Sequence, residues 1–95
     1  MAEKVFEREK VFDDGTFVDA RAYLVEPDEH FVEGVKYSFQ YCDSDGENIL
    51  RYDNARHSTD VPRHHRHVGT DEKIEPVEYA GSIAEQFRKF REEIR

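Results

Sequence analysis

The stretch VKYSFQYC, residues 35 to 42, alternates more cleanly than any other part of the chain: Tyr37, Phe39 and Tyr41 fall on one side, and Lys36, Ser38 and Gln40 on the other. A two-residue repeat belongs to an extended strand, whose successive side chains leave opposite faces, so this stretch predicts an antiparallel strand with one buried face. The polar run DSDGEN (43–48) then turns the chain, and ILRYD (49–53) returns with Leu50 and Tyr52 facing the same way as the aromatics, which makes a hairpin. DSDGEN spaces its acidic residues by two before a glycine, as a calcium loop does. Its distance to a closing glutamate is wrong for such a loop and no helices flank it, so it is read as a turn.

Residues 3–12 and 16–26 flank Asp13, Asp14 and Gly15, a turn signal in which glycine supplies the positive φ that a hairpin needs. On the second arm Val18, Ala20, Ala22 and Leu24 alternate with Asp19, Arg21 and Tyr23, the pattern of a half-buried strand. Pro27 ends that arm, and EPDEHFVEG is a loop. Near the C-terminus the period changes. Ile83, Phe87, Phe90 and Ile94 recur at helical spacing and form a narrow apolar stripe, while Ser82 and Glu85 make a capping-box pattern at its start. These elements predict a single α+β domain over residues 1–95: an antiparallel sheet of four to five strands, two hairpins plus one strand, with a C-terminal helix packed on one face.

Composition narrows the class. Only 37% of the residues are hydrophobic, but seven Phe and five Tyr supply a small aromatic core. The lone Cys42 excludes an internal disulfide and a cysteine-based metal cluster. The N-terminal MAEKVFEREKVF mixes charges of both signs, unlike a signal peptide, and no apolar run approaches a membrane span, so a soluble protein of the cytoplasm, with no membrane contact, is expected. Asp and Glu number 22 against 14 Lys and Arg, with nine Arg to five Lys. Such acidic, lysine-poor surfaces are similar to those of halophilic proteins, in which dense salt leaves only contact-range charge pairs effective.

Against that background, residues 51–69 (RYDNARHSTDVPRHHRHVG) hold four of the five histidines and four of the nine arginines. Residues 51–67 carry a formal +2, which leaves -10 on the rest of a chain whose net charge is -8. Three readings of this island compete. The first is acid/base chemistry on a phosphodiester: imidazoles titrate near neutrality, guanidinium holds phosphate, and each well-placed acid or base contributes about 10²- to 10⁴-fold. The second is a metal site, because His65 and His67 would leave the same side of a strand, although Arg63 would share that side and oppose a dication. The third is structural, with His and Arg bonded to nearby carboxylates. Asp53 and Asn54 stand where they could orient an imidazole. His57 is read as a solvated loop residue, and His30 is given no role.

The order of Tyr52-Asp53-Asn54, a short loop, His65-Arg66-His67, Gly69 and YAGSIAEQFRKFREEI (79–94), preceded by the hairpin FDDGTFVDARAYLV (12–25), resembles the TumE-like toxins of type II toxin-antitoxin systems. The resemblance implies a prokaryotic growth-inhibiting toxin acting on RNA or translation, with a cognate helix-turn-helix antitoxin as partner. Carried over by position, the family's polar pattern falls on Tyr52, Asp53, Asn54, His65, Arg66 and His67. Where that pattern has a glycine shortly before the His-Arg-His motif, this chain has Pro62, Arg63 and His64, so the backbone leading into the motif differs.

Taken together, the expectation is a metal-independent ribonuclease without cofactor. His65 and His67 serve as acid and base, Asp53 and Asn54 orient them, and Arg63, Arg66, His64 and Tyr52 contact substrate. A module that inhibits by occupancy and a metal-dependent hydrolase using His65 and His67 are the alternatives. An antitoxin would cover the basic island with acidic or aromatic side chains, or pair with an exposed sheet edge.

Overall fold

A computed structural model describes residues 2–56, 60–70 and 73–94. Strands β1 (Glu3–Val11), β2 (Phe17–Leu24), β3 (Val35–Cys42), β4 (Asn48–Asp53), β5 (His65–Val68) and β6 (Ile74–Pro76) form one sheet, and helix α1 (Ile83–Glu93) follows. The strand order is the chain order and all neighbours are antiparallel, so the sheet is a simple meander. The expected α+β architecture is therefore found with six strands rather than four to five. The basic segment enters the sheet as β5 and returns through β6 as a third hairpin. The three residues of β6 are too few to show a period, and Pro76 disguises them further. A proline cannot donate to a ladder, but at the outermost strand that loss is tolerated.

The first hairpin closes at Gly15, whose φ of +86° is open to glycine at little strain, and Asp14 accepts from both the amide and the hydroxyl of Thr16 at 3.0 and 2.6 Å. In DSDGEN the Asp43 carboxylate accepts the amides of Asp45 and Glu47, each at 2.9 Å. That carboxylate is committed to closing a turn.

Alternation sorts the sheet into two faces. Val18, Ala20, Ala22, Val35, Tyr37, Phe39, Leu50 and Tyr52 are buried on one of them. Leu24, the last residue of β2, is 48% exposed, so the buried run of that strand ends at Ala22. Helix α1 covers this face. Phe90 is fully buried, with its ring centroid 5.8 Å from Phe39 and 5.4 Å from Tyr52, and Phe87 lies 5.0 Å from Phe6. Ser82 caps the helix as its sequence position predicts, accepting the Glu85 amide at 3.2 Å.

The other face carries no helix. Across it run the rows Glu7, Arg21, Ser38, Asp53, His65 and Glu9, Asp19, Gln40, Arg51, His67. The two edges are unequal, since β1 has nine residues and β6 three.

Candidate functional site

Strands β4 and β5 pair so that Asp53 stands opposite His65 and Arg51 opposite His67. All four side chains therefore leave the helix-free face together. Asp53 is the hub: one carboxylate oxygen lies 2.7 Å from His65 Nε2, the other 2.9 Å from Arg51 Nε and 3.8 Å from His67 Nε2. The other ring nitrogen of His65, Nδ1, donates to the Pro62 carbonyl at 2.9 Å. Both nitrogens of His65 thus face acceptors, an arrangement that suits the doubly protonated imidazolium.

The titration of the pair agrees with this geometry. Burial alone would raise the Asp53 carboxyl, but the hydrogen bond and charge of His65, with Arg51 and His67 adding to them, hold it below its ordinary value. Burial opposes protonation of His65 in the same way, yet the Asp53 carboxylate and the Pro62 carbonyl raise it above its ordinary value. The cleft thus holds a carboxylate paired with an imidazole whose protonation it favours, beside a guanidinium.

Access differs along β5. The His65 side chain is 2% exposed and that of His67 18%. Both border a cleft of about 220 Å³ together with Arg51, Asp53, Lys36 and Tyr23. His67 is the more accessible of the two imidazoles, and His65 is bonded to Asp53.

The remaining expected site residues lie elsewhere. Asn54 is buried with both ends of its amide occupied: its oxygen accepts the Tyr37 amide at 2.9 Å, and its nitrogen donates to the Val35 carbonyl at 2.8 Å. It pins β3 to the end of β4 and orients no imidazole. Tyr52 and Arg66 face the helix side, where both donate to the Glu93 carboxylate and Arg66 also donates to Glu75 at 2.6 Å. Burial, first, and the Glu93 bond raise the Tyr52 phenol above its ordinary range. Arg63 is exposed and donates to the Glu29 carbonyl at 3.2 and 2.8 Å, which ties the loop after β2 to the entry of β5. His57 lies outside the described residues, and His30 is exposed in its loop.

His64 belongs to a separate buried chain of hydrogen bonds. Its Nε2 is 3.1 Å from the Glu33 carboxylate and its Nδ1 3.0 Å from the Tyr37 hydroxyl, which lies 3.0 Å from Gln86 Nε2. A carboxylate only accepts and an amide nitrogen only donates, which fixes the two outer bonds. Gln86 donates to Tyr37, and His64 Nε2-H donates to Glu33. The His64 ring also stacks on Tyr79, with centroids 4.7 Å apart. This residue knits α1, β3 and two loops together and offers nothing to the cleft.

Arg51, Lys36 and Tyr23 were not among the expected site residues, although the alternation already placed Lys36 and Tyr23 on the polar faces of their strands. Arg51 follows from the same rule, since it and Asp53 flank the inward-facing Tyr52. Gln86, a fully buried polar residue on α1, carried no sequence signal beyond its place beside Phe87.

A six-stranded meander with a helix on one face and an imidazole, guanidinium and carboxylate cleft on the other is a small α+β protein. The family model for Toxin TumE matches residues 2–95, and the chain belongs to that family. It is accordingly a toxin of a toxin-antitoxin system, with an antitoxin as its partner. No curated protein and no solved structure matches it. Among the described residues, no helix is long and apolar enough to cross a membrane.

Proposed function

We propose that the chain is an RNA-cleaving toxin whose chemistry takes place in the cleft on the helix-free face. The observation that carries this reading is the convergence of Asp53, His65, His67 and Arg51 beside an open cleft of about 220 Å³. Arg51 holds a phosphodiester oxygen. His67 takes the proton of the neighbouring 2′-hydroxyl as the 2′-oxygen bonds to phosphorus and the bond to the 5′-oxygen breaks. The departing 5′-oxygen is protonated by water, which the open side of the cleft admits. His65 and Asp53 are positioning residues: the Asp53 carboxylate, fixed by His65, holds Arg51 and His67 in place.

The test is end-labelled single-stranded RNA incubated with purified protein in excess chelator. The wild-type chain yields fragments with cyclic phosphate ends, and His67→Ala lowers the rate by at least about 100-fold, the scale of one lost acid/base group, without lowering the melting temperature. Undiminished cleavage by His67→Ala overturns the assignment. Inhibition of translation in proportion to protein, with no RNA cut, favours a module that acts by occupancy.

One observation favours a second reading: ligand atoms of Asp53, His65 and His67 all lie within 4.8 Å of one another, close enough for one metal ion. A cation there must displace the proton between His65 and Asp53 and sit beside the Arg51 guanidinium, so this fit is the poorer one. Activity that vanishes in chelator and returns with a divalent ion selects it.

A further inference from the structure

The helix-free face is electrically divided. On the β1–β2 half, Arg21 stands among Glu7, Glu9 and Asp19, at 3.8, 3.6 and 3.3 Å, and even with Lys4, 3.0 Å from Glu7, the carboxylates keep an excess of one. On the β3–β5 half, Arg51 and His65 bond the Asp53 carboxylate, and Lys36 borders the same cleft. A polyanion is repelled by the first half and held by the second.

Lys36 lies four residues along the sheet from the Arg51 row, because Arg51 pairs with Gln40 and Asp53 with Ser38. Four residues of strand span about 13 Å, so two long cationic side chains border the same cleft from opposite ends. Tyr23 pairs with Lys36 on the neighbouring strand and also lines the cleft. The volume of about 220 Å³ is below the usual range for pockets that enclose a whole small ligand. A cleft this small, with a cation at each end and an aromatic ring beside one of them, fits part of a chain molecule lying across it.

We infer that Lys36 and Tyr23 form a second nucleotide subsite, so that the substrate is single-stranded RNA extending past the scissile phosphate, its next phosphate on Lys36 and its next base against the Tyr23 ring. This rests on the RNA-cleaving reading above for the identity of the first subsite. A base stacks on tyrosine only when it is free of its own neighbours, which selects single strands over duplexes.

The experiment measures the anisotropy of a fluorescein-labelled single-stranded RNA octamer on His67→Ala protein, and in parallel the kcat and KM for the octamer and for a dinucleotide on otherwise wild-type protein. Lys36→Gln and Tyr23→Ala are each expected to weaken octamer binding about tenfold, the scale of one lost phosphate or stacking contact. They raise the octamer KM while kcat and dinucleotide cleavage stay unchanged. Tyr23→Phe keeps the ring and restores binding, and a duplex of the same sequence binds at least about tenfold more weakly than the single strand. Variants that match their parent while RNA is still cut, or a duplex bound as tightly as the single strand, overturn the second subsite and leave the catalytic reading standing. If the wild-type chain cuts no RNA, the catalytic reading falls, and octamer binding that still depends on Lys36 and Tyr23 upholds the track.

Discussion

Replacing Asp53 with Asn removes the charge to which His65 and Arg51 are both bound, at 2.7 and 2.9 Å. Breaking one side of a buried ion pair costs about 3–5 kcal/mol when the partner must keep its charge. His65 has another course, since it can lose its proton, and that makes the penalty depend on pH. In the wild-type chain His65 titrates above its ordinary value of 6.5, so its stabilising effect is full below 6.5 and fades as pH rises through the raised value. The lowered Asp53 acts in the opposite sense: its effect is present above 3.8 and is lost as pH falls through the lowered value. Between 3.8 and 6.5 both contributions are in force.

In Asp53→Asn, burial and Arg51 both oppose the charged form of His65, and only the Pro62 carbonyl still favours it. Holding it neutral at pH 5, one and a half units below 6.5, costs about 2 kcal/mol. At pH 8 an imidazole is neutral in the unfolded chain as well, and this cost disappears. The substitution is therefore expected to destabilise by at least about 2 kcal/mol more at pH 5 than at pH 8, a difference of about 8–16 °C in melting temperature for a domain of this size. Thermal unfolding of both proteins, followed by circular dichroism at the two pH values, measures it. An equal loss at pH 5 and pH 8 would refute the ion-pair account of this cleft.

Arg66→Gln should leave RNA cleavage within about twofold of wild type, because Arg66 bonds Glu75 and Glu93 on the helix side; it should lower stability by about 1 kcal/mol in urea titration by leaving those two carboxylates facing each other. A larger fall in cleavage than the fraction unfolded explains would place Arg66 back at the site. Phe90→Ala empties the ring position between Phe39 and Tyr52 and should cost about 3–5 kcal/mol, read from the same titration. A loss below about 1 kcal/mol would mean that α1 is not the main cover of the sheet.

The alternation of residues 35–42 and 49–53 decided more of this structure than any motif, since a period of two assigns each side chain to a face wherever the strand finally pairs. It was enough to put Tyr37, Phe39, Leu50 and Tyr52 in the core, and to put Lys36 and Ser38 opposite them. The basic island misled for a related reason. Five consecutive residues, Arg63 to His67, look like one cluster when written in a line, but a strand sends Arg66 one way and His65 and His67 the other. Arg63 and His64 precede the strand and go to separate partners, the Glu29 carbonyl and the Tyr37 hydroxyl. The pairing that brings Asp53 to His65 and Arg51 to His67 is a matter of register between strands that no local pattern states. Asn54 was ambiguous in another way: an amide that serves as a pin between strands has the same composition as one that orients an imidazole.

The inequality of the two sheet edges limits how this toxin can be silenced. An added strand finds nine residues of open backbone along β1 but only three on β6, which end in a proline. The cleft runs from Tyr23 on β2 to the histidines of β5, and its His65–His67 end lies near the short side, four strand spacings or about 19 Å from the long one. A partner that zips onto β1 therefore leaves the proposed site at His67 and Arg51 uncovered unless a second arm crosses the acidic half of the open face. Grip and blockade are separate tasks on this surface, and removing that arm alone would yield a complex that stays assembled and is still toxic.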